Sequence, residues 1–301
     1  MRRRFEISQW SGAAALFRQL SGVWRPEGDV DAEGRYLAAA GLGALLCLGY
    51  ASAVQGVRIL AVAAAAALAG VLAEWIFSEV RRKPITGGAF IHGLLLALLL
   101  PAALPLWMAA LGGAFGTVFG KEVFGGPRHC LFNPVLVGKA FILYSYPVAT
   151  SGVYFGNLVG VDGKVWQGAA ALLLVGAALQ LLQRPSNLWI YAGIAAAAYG
   201  VASYIVPAEA LPFDGDLRQL FNANGWMVTA CLLSVDPAGS PEKGWAKFVF
   251  GLIAGALSVL MRCYSMYVDA FLSALLIANI FAPTLNQLSR GKCECESKEE
   301  P

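Results

Sequence analysis

Charge is what this 301-residue chain has least of: 14% of its residues are Asp, Glu, Lys or Arg, against about 25% in an ordinary soluble domain. With 58% hydrophobic residues and a mean hydropathy of +0.62, the polar sequence is too sparse to cover a globule of this size in water. A net charge of +3 is too small to suggest a nucleic-acid partner. The six cysteines (Cys47, Cys130, Cys231, Cys263, Cys293, Cys295) are scattered and form no disulfide framework. Cys47 reads as a small apolar core residue. Cys293 and Cys295 make a C-x-C without a second ligand pair, so no metal site is assigned there. The chain carries no nucleotide-binding fingerprint and no iron–sulfur motif.

Long apolar runs are abundant. A bilayer core of about 30 Å takes about 20 helical residues to cross, and the runs predict ten spans: 36–53, 57–78, 89–104, 106–121, 131–147, 167–183, 187–206, 223–236, 246–262 and 266–284. The predicted fold class is therefore an all-α polytopic membrane protein. Residues 1–35 read as a cytoplasmic or interfacial lead-in, with Trp10, Phe17, Leu20 and Trp24 able to rest on the membrane surface. The arginines at 2–4 precede no short apolar region with a cleavage site, which predicts no cleaved signal peptide. Residues 36–285 form the transmembrane domain, and 286–301 a polar cytoplasmic tail.

Orientation follows from the basic loops. Arg81, Arg82 and Lys83 follow the second span, and Lys121 and Arg128 the fourth. Arg184 follows the sixth, Lys243 and Lys247 the eighth, and Arg290 and Lys292 the tenth. With ten spans these all share one side with the N-terminal arginines, so both termini are expected in the cytoplasm. Arg262 is the exception, at the outer end of the ninth span.

Two spans are short. The third is apolar from Phe90 to Leu100 and then meets Pro101 and Pro105; the eighth is apolar from Trp226 to Val235 and then meets Asp236-Pro237 and Pro241. Proline removes a donor and clashes with the preceding turn, so each run should end as roughly half a crossing. Each is followed by a tryptophan (Trp107, Trp245), a glycine-containing helix, and a further helix. The copies start an odd number of crossings apart, which predicts two inverted five-helix repeats, about 36–147 and 167–285. Short interrupted segments at matching places of inverted halves point to a binding site near the midplane.

The residues at these places resemble a known family. Leu100-Pro101-Ala102-Ala103-Leu104-Pro105-Leu106-Trp107 leads to Lys121-Glu122-Val123-Phe124-Gly125-Gly126. That run continues into Asn133-Pro134-Val135-Leu136-Val137-Gly138-Lys139-Ala140-Phe141 and then Tyr146-Pro147. In the second half stand Ser234-Val235-Asp236-Pro237 and Ala278-Asn279-Ile280-Phe281-Ala282-Pro283. In order, over roughly 70–285, this resembles the RnfD/NqrB family of membrane subunits from Rnf- and Nqr-type complexes. The resemblance implies a membrane subunit of an ion-translocating electron-transport complex in the cell inner membrane. It further implies a flavin, coupling to Na⁺ or H⁺ movement, and other membrane subunits as partners beside the lipid. Such a chain is a non-autonomous part of an oxidoreductase, and oxidation of a nicotinamide or ferredoxin falls to another chain. A stand-alone small-solute or flavin channel on the same scaffold is the competing reading.

One departure matters. The family pattern S-G-A-T follows an Asp-Gly after the fifth span, whereas Asp162-Gly163 here leads to Lys164-Val165-Trp166-Gln167 with no hydroxyl acceptor. Covalent FMN is therefore not expected, and a non-covalent flavin (riboflavin or FMN) is. The resemblance places it at the loop of Lys121, Phe124, Gly125 and Gly126 with Asn133 and Lys139. Glycines there let backbone approach a flat ring, and the Asn133 amide suits its edge. The plain alternative for Lys121 and Glu122 is a solvated interfacial pair. Asp236 is the ion-coupling candidate, since an ionisable residue at a helix break in a membrane is functional by default. Lys139 and Asp269 occupy comparable places in the repeats and could neutralise each other. Glu74 is expected to snorkel or to pair with Arg81 or Arg82.

Overall fold

The structure, a computed structural model, describes residues 32–82, 85, 87–125, 130–150, 163–206, 225–237, 239–264 and 269–296. Among these, every regular element is helical. The first half holds α1 (Ala32–Gln55), α2 (Arg58–Arg81), α3 (Gly88–Leu98), α4 (Leu106–Thr117, continued by a π-turn at Val118–Glu122) and α5 (Pro134–Ser145). The second holds α6 (Gly163–Gln183), α7 (Leu188–Gly200) and α8 (Trp226–Val228), then α9 (Gly244–Tyr264) and α10 (Ala270–Glu296). A 3₁₀ turn at Pro185–Asn187 leads into α7, and π-turns at Val201–Ile205 and Thr229–Leu233 extend α7 and α8.

Five stretches are long and apolar enough to cross a bilayer, judged by length and composition: Gly34–Gln55, Arg58–Arg81, Pro185–Ile205, Gly244–Tyr264 and Ala270–Ser289. Gly88–Leu98, Pro134–Ser145 and Gln167–Gln183 are shorter apolar helices. The chain is thus a multi-pass membrane protein. Its helices sort side chains by size rather than polarity, as lipid-bathed helices do. On α2, Val62, Ala66, Gly70 and Ala73 face inward, while Leu68, Leu72 and Ile76 face out. Small residues bring backbones together: a Cβ on Gly113 of α4 would strike the Ala66 carbonyl of α2. In the second half, a Cβ on Gly251 of α9 would strike the Ile190 carbonyl of α7.

The two short helices start alike. Gly87 (φ 72°) precedes α3 and Gly225 (φ 75°) precedes α8. Both are left-handed, a conformation that costs glycine nothing. From these glycines, α3 runs 11 residues, and α8 with its π-turn runs from Trp226 to Leu233. At 1.5 Å per residue, each covers about half of a bilayer core or less. Pro101 and Pro237 stand just beyond their ends. The packing pairs also correspond: α4 lies along α2 and against α5, and α9 lies along α7 and against α10. Contacts between the halves run through α1 with α6 and α5 with α10.

Candidate functional site

Helix α8 stops inside the protein, and a stopped helix leaves carbonyls without intrahelical partners. Three side chains from three other helices take them up. Tyr36 of α1 donates its hydroxyl to the Leu232 carbonyl at 3.0 Å. Gln180 of α6 donates Nε2 to the same carbonyl at 3.1 Å. Tyr191 of α7 donates to the Cys231 carbonyl at 2.8 Å, its oxygen lying 3.1 Å from Gln180 Oε1. Asp236 follows, 5% exposed, and its own carbonyl accepts from the N–H groups of Gly239 and Ser240. The carboxylate of Asp236 and the amide of Asn133 both lie close enough to act on the Tyr36 hydroxyl. Asn279 of α10 closes the far side, its side-chain amide lying against the Gly239 backbone. A carboxylate thus follows the point where α1, α6, α7 and α10 converge on the end of α8.

Asn133 has two tasks that pull apart. Its Oδ1 accepts from the Val135 N–H at 2.8 Å and caps α5, with Pro134 at the first helical position, where its missing N–H costs nothing. Its Nδ2 is buried and finds no hydrogen-bond partner among the described residues. A buried amide donor left open costs about 1–3 kcal/mol, so the capping residue also holds an unfilled binding capacity beside Tyr36.

A second polar cluster lies at the root of the 122–125 loop. The π-turn that extends α4 carries Lys121 into the interior, where Nζ meets Glu74 Oε1 of α2 at 2.8 Å. Both side chains are nearly sealed from solvent, at 1% and 4% exposure. Glu74 Oε2 also accepts from the Ala89 N–H at the start of α3. This corrects one expectation and removes one alternative. Glu74 pairs with neither Arg81 nor Arg82, and Lys121 with Glu122 is not a solvated pair. The reason is register: Glu74 lies about two turns inside the end of α2, on the face that packs against α3 and α4. Arg81, at that end, meets Glu122 instead, Nη1 3.7 Å from Oε2 and also donating to the Glu122 carbonyl. His92 of α3 stands beside Lys121 and Glu74, its Nδ1 buried without a partner among the described residues. It lines a cavity of water size with Thr117, Pro134 and Val135.

A third cluster joins α5 to the start of α10. Lys139 of α5 and Asp269, just ahead of α10, form an ion pair at 3.1 Å, with 1% and 4% exposure. The mutual neutralisation expected from their places in the sequence is realised. Arg262 of α9 lies within electrostatic reach of the same carboxylate, which gives a cation at the end of that span a nearby opposite charge.

The site residues expected from sequence therefore divide. Phe124 is exposed, Gly125 has φ 107°, and the Phe124 ring meets that of Phe132 at 6.3 Å, next to Asn133. Lys121 and Lys139 point inward to carboxylates. Gly126 lies outside the described residues, as do 151–162 and 207–224. Lys164 and Trp166 fall on the first turn of α6, and Cys293 and Cys295 on the last turns of α10. Sequence reasoning did not find Tyr36, Gln180 or Tyr191. Their one signal was a hydrogen-bonding group inside an apolar run, which must find a partner when buried.

The sequence model of the NQR2, RnfD, RnfE family matches this chain over residues 34–157 and 153–293. The B-type subunit of the Na(+)-translocating NADH-quinone reductase of Pseudomonas aeruginosa (strain LESB58) is 30% identical over 254 residues, covering 71% of this chain and 62% of that protein. The subunit of the same name from Klebsiella pneumoniae (strain 342) is 27% identical over 259 residues, with the same coverage of 71% and 62%. That of Ectopseudomonas mendocina is 26% identical over 254 residues, again covering 71% and 62%. The chain spans 62% of the length of these relatives, less than two thirds.

Proposed function

The chain belongs to the NQR2, RnfD, RnfE family, and from that premise we propose that it is an integral-membrane subunit of an Nqr- or Rnf-like electron-transport complex. It works with other membrane subunits in the cell inner membrane, its termini are cytoplasmic, and its ten helices form two inverted repeats, about 36–147 and 167–285. The relatives are named for Na⁺ translocation coupled to NADH–quinone reduction, and this chain contributes the membrane part of such a process. The observation that carries the reading is the stopped end of α8, whose last carbonyls are taken up by Tyr36, Gln180 and Tyr191 from three helices, with the buried Asp236 directly after it. A carboxylate there gives a translocated cation a place to lose water, while Tyr36, Gln180 and Tyr191 hold the half-helix in position.

The flavin site of this reading is Phe124, Gly125 and Asn133, with Gly126 adjoining them. When bound, the flavin supplies one- and two-electron transfer. The residues fit it: an exposed aromatic ring, a backbone at positive φ, and a buried amide donor with open capacity. Lys121 and Lys139 act as positioning residues, the first fixing the root of the loop through Glu74 and the second fixing α5 through Asp269. Residues 163–166 offer no hydroxyl to bond a phosphate, so the flavin is non-covalent. Acid precipitation of the purified protein tests this: the flavin is expected wholly in the supernatant. A coloured pellet refutes the non-covalent assignment, and a colourless preparation that conducts a neutral solute favours the channel reading.

A further inference from the structure

The start of α9 holds a lysine for which no acidic partner stands ready among the described residues. Lys247 is 1% exposed, and its ammonium donates to two neutral oxygens, Ser186 Oγ at 2.7 Å and Asn187 Oδ1 at 2.8 Å. Arg184 lies near enough to repel it, and Arg35 of α1 in turn repels Arg184. Among the described residues, no carboxylate makes an ion pair with Arg35, Arg184 or Lys247, and Glu242 is the one acid acting on Arg184. Lys243 adjoins the group, holding the Ser289 carbonyl of α10 at 2.7 Å.

Two further features give this cluster its chemistry. The N-termini of α7 and α9 both open here, the first behind the 3₁₀ turn that supplies Ser186 and Asn187. The partial positive ends of two helix dipoles add to the side-chain cations and favour an anion. Trp189 and Trp245 stand beside it, 54% and 42% exposed, with Trp189 Cδ1 3.2 Å from where a Gly244 Cβ would stand. Exposed tryptophans on apolar helices mark the level of lipid headgroups. A buried ammonium flanked by guanidinium groups at that depth is expensive without a counter-charge.

We propose that Arg184 and Lys247 form a binding site for a phosphate group, occupied by the headgroup of an anionic membrane lipid. The guanidinium matches phosphate oxygens in a planar fork, and the ammonium, already oriented by Ser186 and Asn187, supplies the buried charge. The bound phosphate ties α7 and α9 together at the membrane surface. It is separate from the Asp236 cluster and does not depend on the flavin assignment.

Native mass spectrometry of the full chain in mixed micelles tests the site, with phosphatidylglycerol titrated against phosphatidylcholine. Wild type is expected to retain phosphatidylglycerol preferentially. At the energy typical of a basic residue near a membrane surface, Arg184→Gln and Lys247→Met should each weaken retention about fivefold. Lys247→Arg should keep it, and Arg82→Gln, an exposed cation elsewhere, should leave it unchanged. A parallel titration uses inorganic phosphate and FMN. If these bind in a manner lost in both variants while phosphatidylglycerol shows no preference, the phosphate site stands and a soluble phosphate fills it. Equal retention of every ligand by wild type and both variants, all folded by circular dichroism, overturns the proposal.

Discussion

Asp269 should matter more than its partner, although the two form one ion pair. At 3.1 Å, with an effective dielectric constant of about 20, their attraction is about 5 kcal/mol. The desolvation of both groups offsets much of this. Removing one member is a different matter, because the other stays buried with its charge. Asp269→Asn leaves the Lys139 ammonium against a neutral amide and takes away the carboxylate within reach of Arg262, and should cost about 3–5 kcal/mol. Lys139→Met leaves a carboxylate still within electrostatic reach of Arg262, and should cost about 1–2 kcal/mol, the size of one charged hydrogen bond. The double variant removes both charges, so the pair should show a coupling energy of about 2 kcal/mol. Unfolding of the detergent-solubilised protein by sodium dodecyl sulfate, followed by far-ultraviolet circular dichroism, measures all three. If Lys139→Met costs as much as Asp269→Asn, the third member of the cluster is wrong. A coupling below about 0.5 kcal/mol refutes the pair itself.

Other perturbations act on separate parts of the structure. Glu74→Gln strands the Lys121 ammonium and should lower stability by about 3–5 kcal/mol, most of it recovered in Glu74→Gln/Lys121→Met, as the same unfolding assay would show. Gly113→Ala and Gly251→Ala push a methyl into a facing carbonyl and should each cost about 1–3 kcal/mol. Gly49→Ala, with nothing within 4 Å of the new Cβ, should be neutral or slightly stabilising under the same conditions. Tyr191→Phe leaves the Cys231 carbonyl without its donor, at a cost of about 1–3 kcal/mol. Hydrogen exchange should then quicken at the end of α8 before it does elsewhere.

The bilayer makes some of this architecture easy to read and hides the rest. The ends of α3 and α8 were marked by proline, because backbone chemistry alone dictates them, while the left-handed glycines that start them, Gly87 and Gly225, emerge only from the structure. Lys139 and Asp269 were legible as a pair because a charge in an apolar run must meet its opposite. Glu74 was read wrongly for a related reason: Arg81 and Arg82 are its neighbours along the chain, while Lys121 becomes its neighbour only after the π-turn swings it inward. A π-turn has no sequence signature comparable to proline or glycine. Tyr36, Gln180 and Tyr191 escaped because tyrosine and glutamine in a span also suit an interface or a lipid-facing surface. Only the stopped end of α8 gives their hydrogen-bonding groups a reason to point inward.

If this chain carries electrons through a non-covalent flavin within a larger membrane complex, both the flavin and the partners should come with it on purification from native membranes in mild detergent, followed anaerobically in a spectrophotometer. The chain should emerge with other membrane subunits, and adding the complex's reductant should bleach the flavin absorbance of the complex. The share held by this chain should be wholly acid-releasable and missing from Asn133→Ala. A chain that emerges alone and colourless, with no flavin taken up on reconstitution, would contradict that reading.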